Sequence, residues 1–231
     1  MKRVLPIFII LAILLAGCGA EAETVITPEM ILADGVAYMA GLAGFEFQIS
    51  QTGPTVYLDP DKTIEFTDAV GHYVAPDKAL TTVKIAALGM VTEITVISLQ
   101  EAQWGTNPLT GAYMELDPAY LFKPTQYLDP IVGFFPSLGT GTADVVLVGE
   151  EELEEMPGVS LTHLSGTVPG VVISEVSKGL INVDSLAADM WLDAGSGEVH
   201  RVVLTDTAGE GASTWQFDFW NFGATIEISA P

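Results

Sequence analysis

Apolar and polar positions follow a helical period in the early part of the chain. Thr27 is placed to cap a helix, Pro28 suits the first helical position, and the pattern runs to about Gly41 or Gly44. The apolar positions at helical spacing are Ile31, Leu32, Val36, Met39 and Ala43. This spacing predicts one amphipathic helix whose apolar stripe packs against a sheet.

From Phe45 onward the apolar period changes to two, which is typical of strands with one buried face. Turn residues separate the runs. The predicted strands are residues 45–50, 55–58, 63–66, 72–74, 81–85, 91–99, 143–148, 159–168, 171–176, 188–193, 199–204, 214–222 and 224–229. Short strands joined by turns predict an antiparallel sheet, because parallel strands need long crossover connections.

One strand shows the alternation clearly. In residues 214–222, Trp215, Phe217 and Phe219 share one face, and Gln216, Asp218 and Trp220 share the other.

Residues 107–138 interrupt this pattern, because their prolines exclude long strands although much of the segment is apolar. Asp117-Pro118 and Asp129-Pro130 each join a capping residue to a proline, which predicts two short helices. We expect these helices to cover one face of the sheet. The alternative is a hydrophobic loop packed into an ordinary core.

The first eighteen residues have the form of a lipoprotein signal. Lys2 and Arg3 precede an uncharged apolar run over residues 4–16. The run ends in Leu15-Ala16-Gly17-Cys18, which has the pattern of a lipobox, and Cys18 is the only cysteine. We expect a diacylglyceryl group on the Cys18 thiol. A plain signal peptide, or an uncleaved anchor helix with an incidental cysteine, is the alternative.

This signal sets the expected domain organisation and location. Residues 1–17 are the predicted signal peptide, residues 18–26 a short tether, and residues 27–231 a single folded domain. The protein is then expected at the cell membrane, anchored by lipid on its extracytoplasmic face.

The charge of the chain limits its partners. The sequence has 8 Lys and Arg and 30 Asp and Glu, so loss of Lys2 and Arg3 leaves six basic residues against 30 acidic ones, a formal charge of −24. Nucleic acid is excluded as a natural partner, because binding it requires basic residues that neutralise phosphates. Anionic lipid surfaces would repel the domain, so attachment to a membrane is assigned to the anchor.

No constellation of catalytic or metal-binding residues is visible in the sequence. His72, His163 and His200 fall on separate predicted strands without ligand-type spacing. They are the best candidates for a base if the protein is an envelope hydrolase, which is a further alternative. The acidic run 150–155 lacks the spacing of a calcium loop, so a solvated turn is favoured, and cation binding there stays open. We therefore expect a protein that is not an enzyme and has no cofactor, metal or catalytic residue.

The order of features resembles the LppX/LprAFG lipoproteins, which include LprG and are similar in fold to the LolA and LolB carriers. The matching segments are the lipobox, the helix around residues 33–42, Phe45-Glu46-Phe47, residues 128–133, Met190-Trp191-Leu192-Asp193, residues 197–202, residues 215–223, and Ile226-Glu227-Ile228 with the final Ala230-Pro231. The resemblance spans nearly the whole mature chain.

This resemblance implies an α+β fold, a twisted antiparallel half-barrel with a few helices on its concave face. It also implies a hydrophobic cavity that binds a lipid or glycolipid and carries it between membranes, with a possible envelope transporter as partner. The candidate cavity-lining residues are Met39, Ile97, Leu99, Met114, Leu116, Leu128, Ile131, Val132, Phe134 and Phe135. An open dry pocket of well over ~1,000 Å³ between the helices and the sheet would indicate a site for acyl chains.

Two observations leave room for other interpretations. The sequence has no cluster of Lys or Arg, which argues against an anionic head group on the lipid. The same residue types would also build a filled core. The alternative function is therefore a non-enzymatic interaction module of the cell envelope, whose acidic surface binds a basic protein.

Overall fold

The computed structural model describes residues 26–87, 89–209 and 211–231. Cys18, the expected signal peptide and the tether up to residue 25 lie outside the described residues. None of the helices in the described part is both long enough and apolar enough to cross a membrane.

The described residues form a large sheet and a few helices. The helices are α1 (Pro28–Gly41), α2 (Pro124–Tyr127), α3 (Phe134–Gly141) and α4 (Gly170–Val176). The first strands are β1 (Gly44–Thr52), β2 (Val56–Tyr57), β3 (Ile64–Val74), β4 (Lys78–Ala87), β5 (Met90–Leu99), β6 (Ala102–Thr106) and β7 (Tyr113–Glu115). The later strands are β8 (Ala143–Glu152), β9 (Ser160–Pro169), β10 (Ser185–Leu192), β11 (Val199–Asp206) and β12 (Thr214–Trp220).

All strand pairs are antiparallel, in the order β7-β6-β5-β4-β3-β1-β12-β11-β10-β9-β8, with the short β2 beside β3. The first long strand and the last therefore pair at the centre, where Phe47 lies opposite Phe219. The helices pack on one face of this sheet, here called the inner face. The predicted fold class, an antiparallel sheet with a few helices on one side, is confirmed.

The alternation predicted for the last strand is confirmed. Trp215, Phe217 and Phe219 are buried on the inner face, whereas Gln216, Asp218 and Trp220 are half-buried on the outer face. The inner face of the central strands thus forms one side of the core.

The predicted first helix is also confirmed, and it ends at Gly41. Thr27 caps it, because its side chain accepts a hydrogen bond from the backbone N–H of Met30 at 3.4 Å. Leu32, Gly35 and Met39 are buried, so this helix packs on the core as its pattern indicated.

The strand predicted for residues 171–176 is wrong, because these residues form helix α4. The helix places Ile173 and Val176 on its buried side and leaves Val171 exposed. Burial of one helical face thus outweighs the preference of β-branched residues for strands.

Two further strand predictions need correction. Residues 224–229 form no strand, because both edges of β12 are already occupied by β1 and β11. Residues 63–66 and 72–74 were predicted as two strands but belong mostly to the single strand β3. The register of β3 with β4 shifts between Phe66 and Asp68, where the alternation of the sequence is interrupted.

The Asp-Pro pairs do not begin helices as predicted. The Asp117 carboxylate accepts a hydrogen bond from the N–H of Ala119, and the Asp129 carboxylate accepts from Ile131 and Val132, which are turn contacts. The two short helices of this segment begin elsewhere, at Pro124 and Phe134.

Candidate lipid-binding site

Residues 120–138 are here called the aromatic layer, because their aromatic rings lie directly on the inner face of the sheet. Phe122 stacks on Phe66 with ring centroids 5.8 Å apart. Phe135 lies over Phe219, with centroids 5.0 Å apart. These contacts bury the aromatic layer against the central strands.

Few directional bonds hold the aromatic layer to the strands. The N–H of Leu121 donates to the carbonyl of Leu58 at 2.9 Å. The Gln103 amide donates to the carbonyl of Phe122 at 3.0 Å, and the Thr125 hydroxyl donates to the backbone of Gln100 at 3.3 Å. Most of the attachment is therefore apolar contact, which is not directional.

A small apolar cavity lies between the aromatic layer, α4 and the sheet. Its volume is about 20 Å³, which is close to the space that one water molecule occupies. It is lined by Ile49, Phe122, Tyr127, Phe134, Ile173, Val176, Ser177, Leu180, Ile181, Trp215 and Phe217. The expected large open pocket is therefore not present at this position, because aromatic side chains fill the space.

The structure places half of the predicted wall residues in or against the core. Phe134 lines the small cavity. Met39, Leu128 and Phe135 are buried in the same core, and Leu116 packs against it.

The other predicted wall residues lie elsewhere. Ile131 is 80% exposed, Val132 67% and Met114 53%. Ile97 and Leu99 alternate with the core residues of β5, so their side chains point to the outer face.

Sequence reasoning missed the cavity residues of α4 and of the central strands. Trp215 and Phe217 were recognisable from their shared face on the last strand. Ile173 and Val176 were not recognisable, because the sequence predicts a strand for residues 171–176.

Three tyrosine hydroxyls of the core are largely removed from water. Removal from water raises the pKa of Tyr73, Tyr120 and Tyr127 well above the ordinary value for tyrosine. The Tyr127 hydroxyl donates to the carbonyl of Leu121. Among the described residues, the buried Tyr120 hydroxyl has no hydrogen-bond partner.

A polar groove of about 600 Å³ lies beside the small cavity. Its lining residues are Asp77, Gln100, Glu101, Gln103, Lys123, Thr125, Gln126, Asp129, Val132 and Lys178. Residues that line the groove are direct neighbours in sequence of residues that line the cavity: Lys123 follows Phe122, and Lys178 follows Ser177.

The three histidines lie on separate strands and have ordinary partners. His163 lies between Asp189 and Glu151, at 2.9 and 3.1 Å, and stacks on Trp191. His72 and His200 each lie near one glutamate. Across residues 26–87, 89–209 and 211–231, no group of three acidic, histidine or cysteine side chains is arranged to hold a metal ion.

The acidic run 150–155 differs from the predicted solvated turn. Residues 150–152 belong to β8, and only the end of the run forms a turn. The Glu151 carboxylate accepts a hydrogen bond from Trp191 at 2.9 Å, and Glu155 pairs with Arg201 at 3.2 Å. These carboxylates bind neighbouring strands of the outer face.

Comparison with known proteins places this architecture among lipoproteins. The family LppX_LprAFG lipoprotein matches residues 27–228. The crystal structure of LprF from Mycobacterium bovis has a TM-score of 0.69 at 17% identity, covering 88% of this chain and 96% of that one. Lipoprotein LppX from Mycobacterium tuberculosis has a TM-score of 0.59 at 15% identity, covering 86% and 98%.

Other comparisons are weaker. A LolA superfamily protein from Nitrosomonas europaea has a TM-score of 0.31 at 8% identity, covering 87% of this chain and 95% of that one. No curated protein sequence matches significantly. At these identities, the likeness to the two mycobacterial lipoproteins concerns the fold.

Proposed function

This chain belongs to the LppX_LprAFG lipoprotein family, and from that membership we propose that it binds a lipid or glycolipid between its sheet and helices. The bound lipid is carried between membranes by a protein that remains anchored through Cys18 at the extracytoplasmic face of the cell membrane. The protein does this without catalysis, and an envelope transporter supplies or receives the lipid.

The observation that carries this proposal is the way the aromatic layer rests on the sheet. Its contacts with the central strands are ring against ring, for example Phe134 against Phe217 at 4.4 Å between centroids. Acyl chains that displaced the aromatic layer would contact the apolar side chains of the sheet on one side and those of the aromatic layer on the other. Opening of the site therefore replaces contacts between side chains by contacts with the lipid, and few hydrogen bonds have to break.

The hydrophobic effect sets the free energy of binding that such a site must provide. A two-chain lipid with about thirty methylenes costs on the order of 20 kcal/mol to expose to water, at about 0.8 kcal/mol each. A carrier must offset most of this by enclosing the chains. A closed cavity of about 20 Å³ cannot do so, hence the lipid-bound state requires displacement of the aromatic layer and α4.

Native mass spectrometry of residues 19–231, expressed in bacteria without the anchor cysteine, tests this proposal. These residues include all strands and the core of the described structure. We expect a co-purifying lipid, or uptake of one added two-chain lipid per protein after delipidation. A protein that never carries lipid under either condition would contradict the proposal.

A second candidate function follows from the filled interior. A solid core with a strongly acidic surface suits an interaction module that binds a basic envelope protein. Such a module takes up no lipid, and its complex dissociates at high salt because exposed charges are screened. The same lipid-uptake experiment separates the two functions.

A further inference from the structure

A second groove, of about 620 Å³, adjoins the small apolar cavity. It is formed by residues 54–62, Leu121, residues 179–183, the end of β11 and the start of β12. Leu180, Ile181 and Trp215 line both the second groove and the cavity, whereas the polar groove shares no lining residue with the cavity. The second groove is therefore the space from which a ligand reaches the cavity by displacing only these three side chains.

The segment 179–183 is bonded to its own helix rather than across the second groove. The N–H of Leu180 donates to the carbonyl of Ser177 at 3.0 Å, and the N–H of Ile181 donates to the Ser177 hydroxyl at 3.0 Å. In the part of the chain that the structure describes, no hydrogen bond joins this segment to residues 54–62. Displacement of α4 by a lipid thus widens the passage without breaking such a bond.

The charges of the second groove do not suit an anion. Two carboxylates, Asp59 and Asp206, line it together with one ammonium group, Lys62, so the lining has an excess of one negative charge. Each carboxylate is engaged in its own turn, where Asp59 accepts from the N–H of Thr63 and Asp206 from that of Ala208, both at 2.9 Å. A phosphate is repelled here, and a cationic head group is opposed by Lys62.

The other polar side chains of the second groove are uncharged. They belong to Thr55, Tyr57, Asn182 and Ser213. Hydroxyl and amide groups both donate and accept hydrogen bonds, and Asn182 is exposed at the surface. These groups are complementary to the hydroxyls of an uncharged sugar.

Taking the proposed lipid binding as its basis, we propose that the second groove binds the uncharged, hydroxyl-bearing head group of a two-chain lipid, such as a glycosyl diacylglycerol. Thr55, Asn182 and Ser213 form hydrogen bonds with the hydroxyls of the sugar. The acyl chains pass Leu180 and Trp215 into the opened cavity. Because these side chains line both spaces, one lipid occupies both.

Single cysteines test the position of the passage, because Cys18 is the only natural cysteine and the anchorless protein lacks it. Asn182→Cys lies exposed in the second groove, and Glu101→Cys lies exposed in the polar groove as its control. Native mass spectrometry measures the binding of dioleoyl glucosylglycerol before and after alkylation with a biotin maleimide. Alkylation should weaken binding at least about tenfold in Asn182→Cys, because the adduct occupies the head-group site, and leave Glu101→Cys unchanged.

A second lipid with the same chains tests the class of head group. We expect the wild type to bind dioleoylphosphatidylglycerol about threefold more weakly than dioleoyl glucosylglycerol, because charges near the surface interact modestly. Asp206→Asn should raise the affinity for the phospholipid and leave that for the glucosyl lipid unchanged. Asp193→Asn is the matched control, because its carboxylate also accepts an N–H within its own turn but lies outside the second groove, and it should change neither affinity.

Three results would overturn the inference. If the glucosyl lipid binds but alkylation of Asn182→Cys has no effect, or alkylation of both cysteines has the same effect, the passage is not at the second groove, although lipid binding stands. If the phospholipid binds as tightly as the glucosyl lipid, the class of head group is wrong. If neither lipid binds to the wild type, the proposed function itself fails.

Discussion

Phe134 packs on Phe217 with ring centroids 4.4 Å apart, so the first residue of α3 lies directly on the central strand β12. This contact closes the small cavity from the side of the helices. Phe134 is therefore expected to affect both the stability of the closed state and the space available to an apolar ligand.

We expect Phe134→Ala to lower the free energy of unfolding by about 3–4 kcal/mol, because it leaves a cavity in the core. The same enlargement should raise the affinity for a fluorescent fatty acid. Denaturant titration and fluorescence titration measure the two effects. Ile131→Ala, in the same segment but at a residue that is 80% exposed, should change neither, and equal effects of both variants would contradict this account.

The turn before α3 depends on a glycine that backbone atoms surround. A Cβ at Gly133 would lie 2.4 Å from the carbonyl oxygen of Asp129 and 2.6 Å from that of Tyr127. We expect Gly133→Ala to destabilise the protein by at least about 2 kcal/mol, because the rigid backbone cannot give way.

Gly41→Ala is the matched control for this variant. A Cβ at Gly41, the last residue of α1, meets nothing within 4 Å. Alanine favours the helix by about 1 kcal/mol relative to glycine, so we expect the midpoint of thermal unfolding to stay or rise. A fall as large as that of Gly133→Ala would show that the crowding at residue 133 is not the cause.

The stability contributed by Glu46 should depend on pH. Its carboxylate accepts hydrogen bonds from Asn221 at 2.6 Å and from Trp220 at 2.8 Å. The bond from Asn221 contributes most to lowering the pKa of Glu46 below 4.5, with burial acting in the opposite direction. A carboxyl group with a lowered pKa stabilises the fold above its ordinary pKa, and this stability is lost as the pH falls through the lowered value.

Glu46→Gln should therefore cost about 1 kcal/mol at pH 7. The difference between variant and wild type should shrink towards zero once the pH is below the lowered pKa, where the wild-type carboxyl is protonated as well. Urea unfolding at a series of pH values measures this. A difference that stays constant down to the acid limit would mean that the charge of Glu46 is not involved.

Local opening of the aromatic layer should be visible by hydrogen exchange. The amides of Leu128 and Ser137 are bonded within their own short helical turns, whereas those of β12 lie between two strands. We expect the former to exchange at least about a hundredfold faster, because regions with local contacts open without global unfolding. Equal exchange rates would mean that the segment leaves the sheet only when the whole protein unfolds.

The sequence predicted features that depend on local pattern. Thr27 and Pro28 marked the start of α1, and the alternation around Phe217 marked the buried face of β12. Features that depend on distant partners were not predictable in this way. Residues 224–229 have strand-like composition, but β12 has no free edge to pair with them.

The candidate site shows the same division. Phe134 was identified because the segment around it is apolar. Ile173 lines the cavity because residues 170–176 form a helix, and that helix was not predicted. Lys123 and Lys178 line one groove although they are far apart in the chain, and no spacing in the sequence indicates this.

The position of a bound acyl chain tests the central claim most directly. Trp215 lines the cavity, and Trp191 lies on the outer face with its ring nitrogen bonded to Glu151. The chain has 4 tryptophans, so replacing the other three by Phe gives variants that retain only Trp215 or only Trp191. A two-chain lipid with brominated acyl chains quenches only the tryptophans that it touches.

We predict that this lipid quenches the fluorescence of Trp215 in proportion to its binding and leaves that of Trp191 unchanged. Quenching of neither tryptophan, or equal quenching of both, would contradict the claim that acyl chains enter the space between the aromatic layer and the sheet.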